Sequence, residues 1–121
     1  MKKLNNSNVI KKYIYQLNLD LKRGLLQFAT LHLISQMPSY AHEIKDEISN
    51  MTRGNFDIDK NNLYKKLRLL EKDGILKSKL KHSNYGADRK YYSITPFGRK
   101  LYNEMYQLLI PVMSSLQKRT K

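Results

Sequence analysis

Between Lys60 and Lys72 the chain reads Lys-Asn-Asn-Leu-Tyr-Lys-Lys-Leu-Arg-Leu-Leu-Glu-Lys, and its side chains divide by face. At about 100° per residue, Leu63, Leu67 and Leu70 fall on one side of a helix and Asn61, Lys65, Arg68 and Lys72 on the other. Amide and cationic groups on one exposed face are the chemistry that reads a nucleic-acid groove. Asn61 and Asn62 suit adenine edges, while Lys65, Lys66 and Arg68 suit guanine edges or phosphates. The plainer alternative is a solvated polar face, and the remaining sequence decides between the two. A second set, Lys81, Arg89 and Lys90, flanks the polar segment His82-Ser83-Asn84-Tyr85-Gly86-Ala87-Asp88. These three can contact phosphates or place an arginine in a narrow minor groove. Tyr40, Tyr64, Tyr91 and Tyr92 each combine a packing ring with a hydroxyl that can reach a phosphate or a backbone group. For Tyr92 the core role is the better fit.

The charge balance favours the groove reading. The 121 residues hold 23 Lys and Arg against 10 Asp and Glu, a formal net charge of +13, so polyanions are the expected partners. An anionic membrane surface is the weaker alternative, since the opening Met1-Lys2-Lys3-Leu4-Asn5 carries no myristoylation glycine. The richest apolar stretch, Leu25 to Met37, is interrupted by Gln27, Thr30, His32 and Ser35 and does not suit a membrane span. With no secretory signal and no cysteine, the expectation is a cytoplasmic protein without disulfides, thiolate metal sites or a cysteine nucleophile.

The elements that must carry these groups are legible from periodicity. Val9, Ile10, Tyr13, Ile14 and Leu17 predict a short amphipathic helix capped by Ser7 or Asn8. After a polar interval at 18–23, residues 24–36 are apolar nearly all round and predict a buried helix ended by Pro38. Ser39 is read as the cap of a second helix carrying Tyr40, Ile44, Ile48 and Met51, which Gly54 breaks. Asn55-Phe56-Asp57-Ile58 predicts one short strand, and Asp59 caps the third helix, which Asp73-Gly74 terminates. Leu76, Ser78 and Leu80 then alternate with Lys77, Lys79 and Lys81, and Arg89 to Ile94 returns as the second arm of a hairpin. Thr95-Pro96 starts a last helix with the stripe Leu101, Met105, Leu108 and Val112 beside Tyr102, Tyr106, Leu109 and Met113, and Pro111 should kink or end it.

Helix, helix, short strand, helix, hairpin, long helix is the plan of a winged helix-turn-helix. Four local motifs in that order add a resemblance. They are Ser39-Tyr40, then Asn62-Leu63-Tyr64 with Leu67-Arg68-Leu69-Leu70-Glu71-Lys72-Asp73-Gly74-Ile75-Leu76, then Gly86-Ala87-Asp88-Arg89-Lys90-Tyr91-Tyr92, and Ile94-Thr95-Pro96-Phe97-Gly98. Over roughly residues 20 to 110 the chain resembles the PadR family. It departs where the family has glycine after the tyrosine of helix two, here Ala41, and a Gly-Thr-Leu-Tyr-Pro run, here Asn61 to Lys65. Those changes put a cation and an amide on the exposed face and bear on readout rather than fold.

The fold class expected is therefore mainly α with a small β-hairpin, a winged helix-turn-helix plus a C-terminal dimerisation helix. The divisions are 1–19 for the N-terminal amphipathic helix, 20–95 for the DNA-binding domain and 96–121 for the last helix. The resemblance implies a homodimer joined through that helix and often the first, which singles out Ile10, Tyr13, Ile14, Leu101, Met105, Leu108 and Val112. It also implies repression of stress or drug-response genes. Tyr13, Tyr102 and Tyr106 are the expected lining of a site for a small aromatic effector. His32, His42 and His82 stand apart in sequence without a carboxylate grouping, and there is no P-loop, dinucleotide turn or nucleophile motif, so neither a metal, a cofactor nor an enzyme is expected. The leading expectation is a sequence-specific double-stranded DNA-binding regulator. Its competitors are an architectural or partition-type binder of low specificity and an interaction module that has lost DNA binding.

Overall fold

A polar stretch breaks a helix only if it removes backbone hydrogen bonds, and residues 18–23 contain no proline. In the computed structural model, which describes residues 5–84 and 86–118, the two helices expected on either side of that stretch are one, α1 (Asn6–Gln36). The Asn5 side chain caps it by accepting the Ser7 N–H at 2.7 Å, ahead of both expected caps, Ser7 and Asn8. Asn18 and Asp20 lie along a helix already outside the core, where Gln16 bonds Asp20 at 3.1 Å one turn on. Only the C-terminal half enters the core, through Thr30, Leu31 and Ile34.

Pro38 ends α1 and sends the chain into an extended segment. Ser39 does not cap the next helix. Its backbone pairs with Tyr92 in both directions, at 3.1 and 2.9 Å, and its hydroxyl donates to the Met37 carbonyl at 3.1 Å. Helix α2 (Ala41–Met51) therefore starts after Tyr40, and Ala41, Ile44 and Ile48 are its buried positions. Thr52 closes it by donating to the Ile48 carbonyl at 2.9 Å and accepting the Phe56 N–H at 3.1 Å. Residues 55–58 are not the expected strand. They are held as an irregular loop by Thr52 and by Asn18, whose amide reaches the Asn55 carbonyl at 3.2 Å, while Ile58 is buried.

Helix α3 (Lys60–Lys72) buries Leu63, Leu67 and Leu70, the stripe expected. It ends in a Schellman pattern: Ile75 N–H bonds the Leu70 carbonyl at 2.9 Å and Gly74 N–H the Glu71 carbonyl at 3.0 Å. Gly74 sits at φ 79°, where a Cβ is strained. Strands β1 (Leu76–Lys81) and β2 (Arg89–Ile94) pair antiparallel from Leu76 opposite Ile94 to Lys81 opposite Arg89, and Ser39 bridges the outer edge of β2. The inward alternation holds at the base, with Leu76 and Tyr92 buried, and lapses at Leu80, 64% exposed where the hairpin has left the core. Tyr85, at the tip, lies outside the described residues.

Helix α4 (Pro96–Lys118) is started by Thr95, whose Oγ1 accepts the Gly98 N–H at 2.9 Å and lies 2.6 Å from the Gly74 carbonyl oxygen. A Cβ at position 98 would overlap the Ile75 carbonyl, so glycine is required for α4 to approach the end of α3 this closely. The helix continues through Pro111, which costs it one backbone bond to Gln107 in an exposed stretch. The core is the junction of the inner half of α1 with α2, α3, the base of the hairpin and the start of α4.

Thr30 is fully buried and its hydroxyl lacks a partner among the described residues. An unmade buried hydrogen bond costs about 1–3 kcal/mol, so Thr30→Val should stabilise the protein by roughly 1 kcal/mol, read as a higher urea midpoint at unchanged slope. A lower midpoint would mean that the hydroxyl has a partner.

Candidate nucleic-acid interface

The outward face of α3 and the hairpin meet on one side of the molecule. A cleft of about 480 Å³ between them is lined by Tyr40, Tyr64, Arg68, Arg89, Lys90 and Tyr92, among others. Asn61, Lys65 and Arg68 are exposed on the ridge of α3 beside this cleft. Asn62 and Lys66 are placed differently from the expectation that grouped all five. On the helical wheel they turn toward α1: Lys66 Nζ donates to Gln27 Oε1 at 3.3 Å, and Asn62 lines a shallow cleft with Leu19, Lys22 and Asp59. Tyr64 packs against the core on the flank next to the hairpin.

The cations of the hairpin also separate by face, because neighbours in a strand point opposite ways. Lys81, Arg89 and Tyr91 share one face. Lys90 points to the other, where its ammonium pairs with Glu71 Oε1 at 3.3 Å. Ser78 Oγ donates to the second Glu71 oxygen at 2.5 Å. That hydrogen bond, opposed by partial burial and assisted by Lys90, holds the Glu71 carboxyl below the usual glutamate value; the same pairing raises Lys90. Lys90 is therefore a brace between α3 and the hairpin. Among the described residues, Lys65, Arg68, Lys81 and Arg89 have no carboxylate in ion-pair reach. These four, with Asn61, form the unneutralised edge of the site.

The sequence offered Tyr91 as a ring with a reaching hydroxyl but not its partners, and it did not single out Lys79. Tyr91 packs edge-on against Tyr40 with centroids 5.2 Å apart, and Lys81 Nζ lies 4.6 Å above the Tyr91 ring. Lys79, opposite Tyr91 in the ladder, extends the same cationic face. The alternation in Leu76 to Lys81 carried this signal, but it was read only as the wet side of a strand. Tyr40 is drawn to the hairpin by the Ser39 bridge, a contact 53 residues long in sequence that periodicity cannot supply.

The residues expected at a dimer interface divide in two. Leu101 and Met105 are half-buried and pack on the core of their own chain, because α4 leans on α1 there. Ile10, Tyr13, Ile14, Leu108 and Val112 are 51–73% exposed. The three tyrosines expected around an effector do not share a cavity. Tyr102 is buried, stacks on Phe28 at 5.4 Å and meets His32 Nδ1 through its hydroxyl at 2.6 Å; burial pushes its pKa up. Tyr106 borders an apolar cavity of about 310 Å³ lined by Leu25, Phe28, Ile48, Phe56 and Met113, and Tyr13 stands outside it on the free arm of α1. Among the described residues no cluster of metal-ligating side chains occurs, and no helix is long and apolar enough to cross a membrane.

Three helices and a hairpin wing, with the third helix exposed beside the wing, define a winged helix-turn-helix. Residues 30–104 match the Transcriptional regulator PadR-like family, and the chain belongs to it. It is 36% identical over 86 residues to an uncharacterized protein of Lysinibacillus sphaericus, covering 71% of this chain and 79% of that one. A transcriptional regulator from Clostridium thermocellum superposes with a TM-score of 0.71 at 30% identity, over 84% of this chain and 96% of the other. Bacillus subtilis PadR, solved in complex with operator DNA, superposes with a TM-score of 0.61 at 16% identity, over 67% of this chain and 47% of the other, a likeness of fold alone. The protein is a PadR-like transcriptional regulator.

The Glu71–Lys90 brace sets a pH dependence. A carboxyl held below its unfolded value of 4.5 contributes stability that is present above pH 4.5 and is lost as pH falls through the folded value. Glu71→Gln should therefore be less stable than wild type at neutral pH, with the gap in urea midpoint closing as pH falls through the lowered folded value of the carboxyl. A gap of the same size in acid would show that packing, not charge, holds the brace.

Proposed function

We propose that the protein is a sequence-specific regulator of transcription, acting as a repressor in the cytoplasm, that places α3 in the major groove and its wing on the flanking backbone. The observation that carries this reading is the sorting of charge. Among the described residues, Lys65 and Arg68 on α3 and Lys81 and Arg89 on the wing have no carboxylate partner, while Lys90 and Lys66 are engaged within the protein. A cation left without a carboxylate on a convex ridge is available to phosphates and guanine edges, and Asn61 beside it offers an amide to adenine. Bacillus subtilis PadR, a relative in fold, is described with operator DNA, which supports the same use of this surface.

A homodimer completes the reading. The outer half of α1 carries Ile10, Tyr13, Ile14 and Leu17 exposed, and α4 carries Leu108, Val112 and Leu116 exposed. Stripes of this size along two helices are an interaction surface in most proteins. Joining two copies through them would place two third helices about one helical turn, roughly 34 Å, apart on a pseudo-palindrome. The +13 charge also suits an architectural binder, and the experiment separates the two.

The protein is titrated against the DNA upstream of its own gene and against a scrambled duplex of equal length at two salt concentrations. Binding at least about 10³-fold tighter to the native site supports the regulator; equal, steeply salt-dependent binding to both supports the architectural role. Lys65→Ala should weaken the specific complex by about tenfold or more, the scale of one base or phosphate contact, and wild-type affinity in that variant would remove α3 from the groove. Leu108→Glu should shift the sedimentation coefficient from dimer to monomer at micromolar protein. A dimer that survives it would move the interface off α4.

A further inference from the structure

On the face of the wing opposite Lys90, a stack of alternating cations and rings runs from the wing to the start of α2. The Arg89 guanidinium lies 4.5 Å from the centroid of the Tyr40 ring and donates from Nη1 to the Tyr40 hydroxyl at 3.2 Å. Tyr40 meets Tyr91 edge-on at 5.2 Å, and Lys81 covers Tyr91 at 4.6 Å. Lys81 and Arg89 face each other as the last pair of the ladder, at the mouth of the wing loop. Tyr40 is itself fixed at the root, as the residue immediately before α2 and next to the Ser39–Tyr92 bridge.

We propose that Tyr40 is a positioning residue for Arg89, and that Arg89 so held reads the narrow, A·T-rich minor groove beside each half-site. The inference rests on the reading of α3 as the major-groove helix.

An exposed arginine at the mouth of a hairpin has many rotamers. A ring beneath the guanidinium and a hydroxyl at its edge remove most of them before DNA arrives, so less freedom is lost on binding. The stack uses one of the five N–H groups, and among the described residues no carboxylate pairs with Arg89, so its charge remains available. Finally, A·T tracts narrow the minor groove and concentrate negative potential there, and a weakly hydrated, planar guanidinium enters it at lower desolvation cost than an ammonium. Lys81, a compact and strongly hydrated charge, is suited to the phosphates at the groove edge. Lys90 cannot substitute for Arg89, because it points to the other face and pairs with Glu71 at 3.3 Å.

The test begins with a pool of random duplexes selected on the full-length wild-type protein and sequenced. The expected pool has a central motif flanked by A·T runs. One selected duplex is then remade with G·C flanks, and both forms are titrated against wild type, Arg89→Lys, Tyr40→Phe and Tyr40→Leu. Wild type should prefer the A·T-flanked duplex by about tenfold, within the range of a single base-pair discrimination. Arg89→Lys and Tyr40→Leu should lose overall affinity, and their ratio between the two duplexes should fall to about twofold or less. Tyr40→Phe keeps the ring and should keep most of the ratio. Leucine retains apolar bulk at position 40, and a thermal melt within a few degrees of wild type certifies the fold; Arg89→Lys, at an exposed position, decides the groove reading independently.

A wild-type ratio near one, with the central motif intact, overturns the inference and leaves the α3 reading standing. A full ratio in Tyr40→Leu overturns the role of Tyr40. A pool without any central motif overturns the α3 reading and the inference with it.

Discussion

Two backbone hydrogen bonds between Ser39 and Tyr92 fix the geometry on which the rest of the site depends. A two-stranded hairpin is marginal by itself in water, and this one has left the core by Leu80. The bridge gives β2 a partner on its second edge, beside a buried Tyr92 ring that already anchors the strand. Because Ser39 directly precedes Tyr40 and α2, the same pair sets the angle of the wing relative to the helix-turn-helix. Without it, Tyr40 has no reason to lie under Arg89, and the wing has no fixed relation to the start of α2.

The far side of the wing is braced by different chemistry for the same purpose. Glu71, at the last turn of α3, takes the Lys90 ammonium on one oxygen and the Ser78 hydroxyl on the other. The pair is partly exposed, so its contribution to stability is modest. Its geometric consequence is larger, since it ties the end of α3 to both strands of the hairpin. The Thr95 hydroxyl and the close approach at Gly98 join α4 to the same corner through Gly74 and Ile75. Helix α3 is thus held to the hairpin at Glu71 and to α4 at its C-terminal turn.

Most of this was legible from residues whose meaning is local. Leu63, Leu67 and Leu70 defined the inner face of α3, Asp73-Gly74 its end, and Thr95-Pro96 the start of α4, each by a rule acting within one or two turns. What the sequence misplaced was decided by distant partners. Ser39 looked like a cap because caps are often serines, and it became a single bridge residue because Tyr92 was there to receive it. Residues 55–58 have the alternation of a strand, but Thr52 and Asn18 hold them as an irregular loop. Residues 18–23 looked like a break because they are polar, yet polarity on a helix outside the core removes no hydrogen bond. The cationic residues were all identifiable by type; which were free and which engaged depended on Glu71 and Gln27 standing opposite.

Under the proposed function, that division of cations bears on how a protein of charge +13 would discriminate among DNA sequences. Counterion release rewards every phosphate contact equally, so a surface of mobile lysines binds any duplex and the affinity carries no sequence information. Selectivity requires that some cations be held where only certain groove shapes or base edges can meet them. In this fold the holding is done by neutral rings and by backbone pairing: Tyr40 lies under Arg89, and Ser39 is clamped to Tyr92. A carboxylate beside Arg89 would have fixed its position equally well but would have cancelled the charge the groove attracts. A ring fixes the guanidinium and leaves the charge. The carboxylate brace is found instead on the opposite face of the strand, at Lys90, where the ammonium serves the wing's attachment to α3. One strand thereby carries two adjacent cations for two purposes, separated by the alternation of the β-backbone.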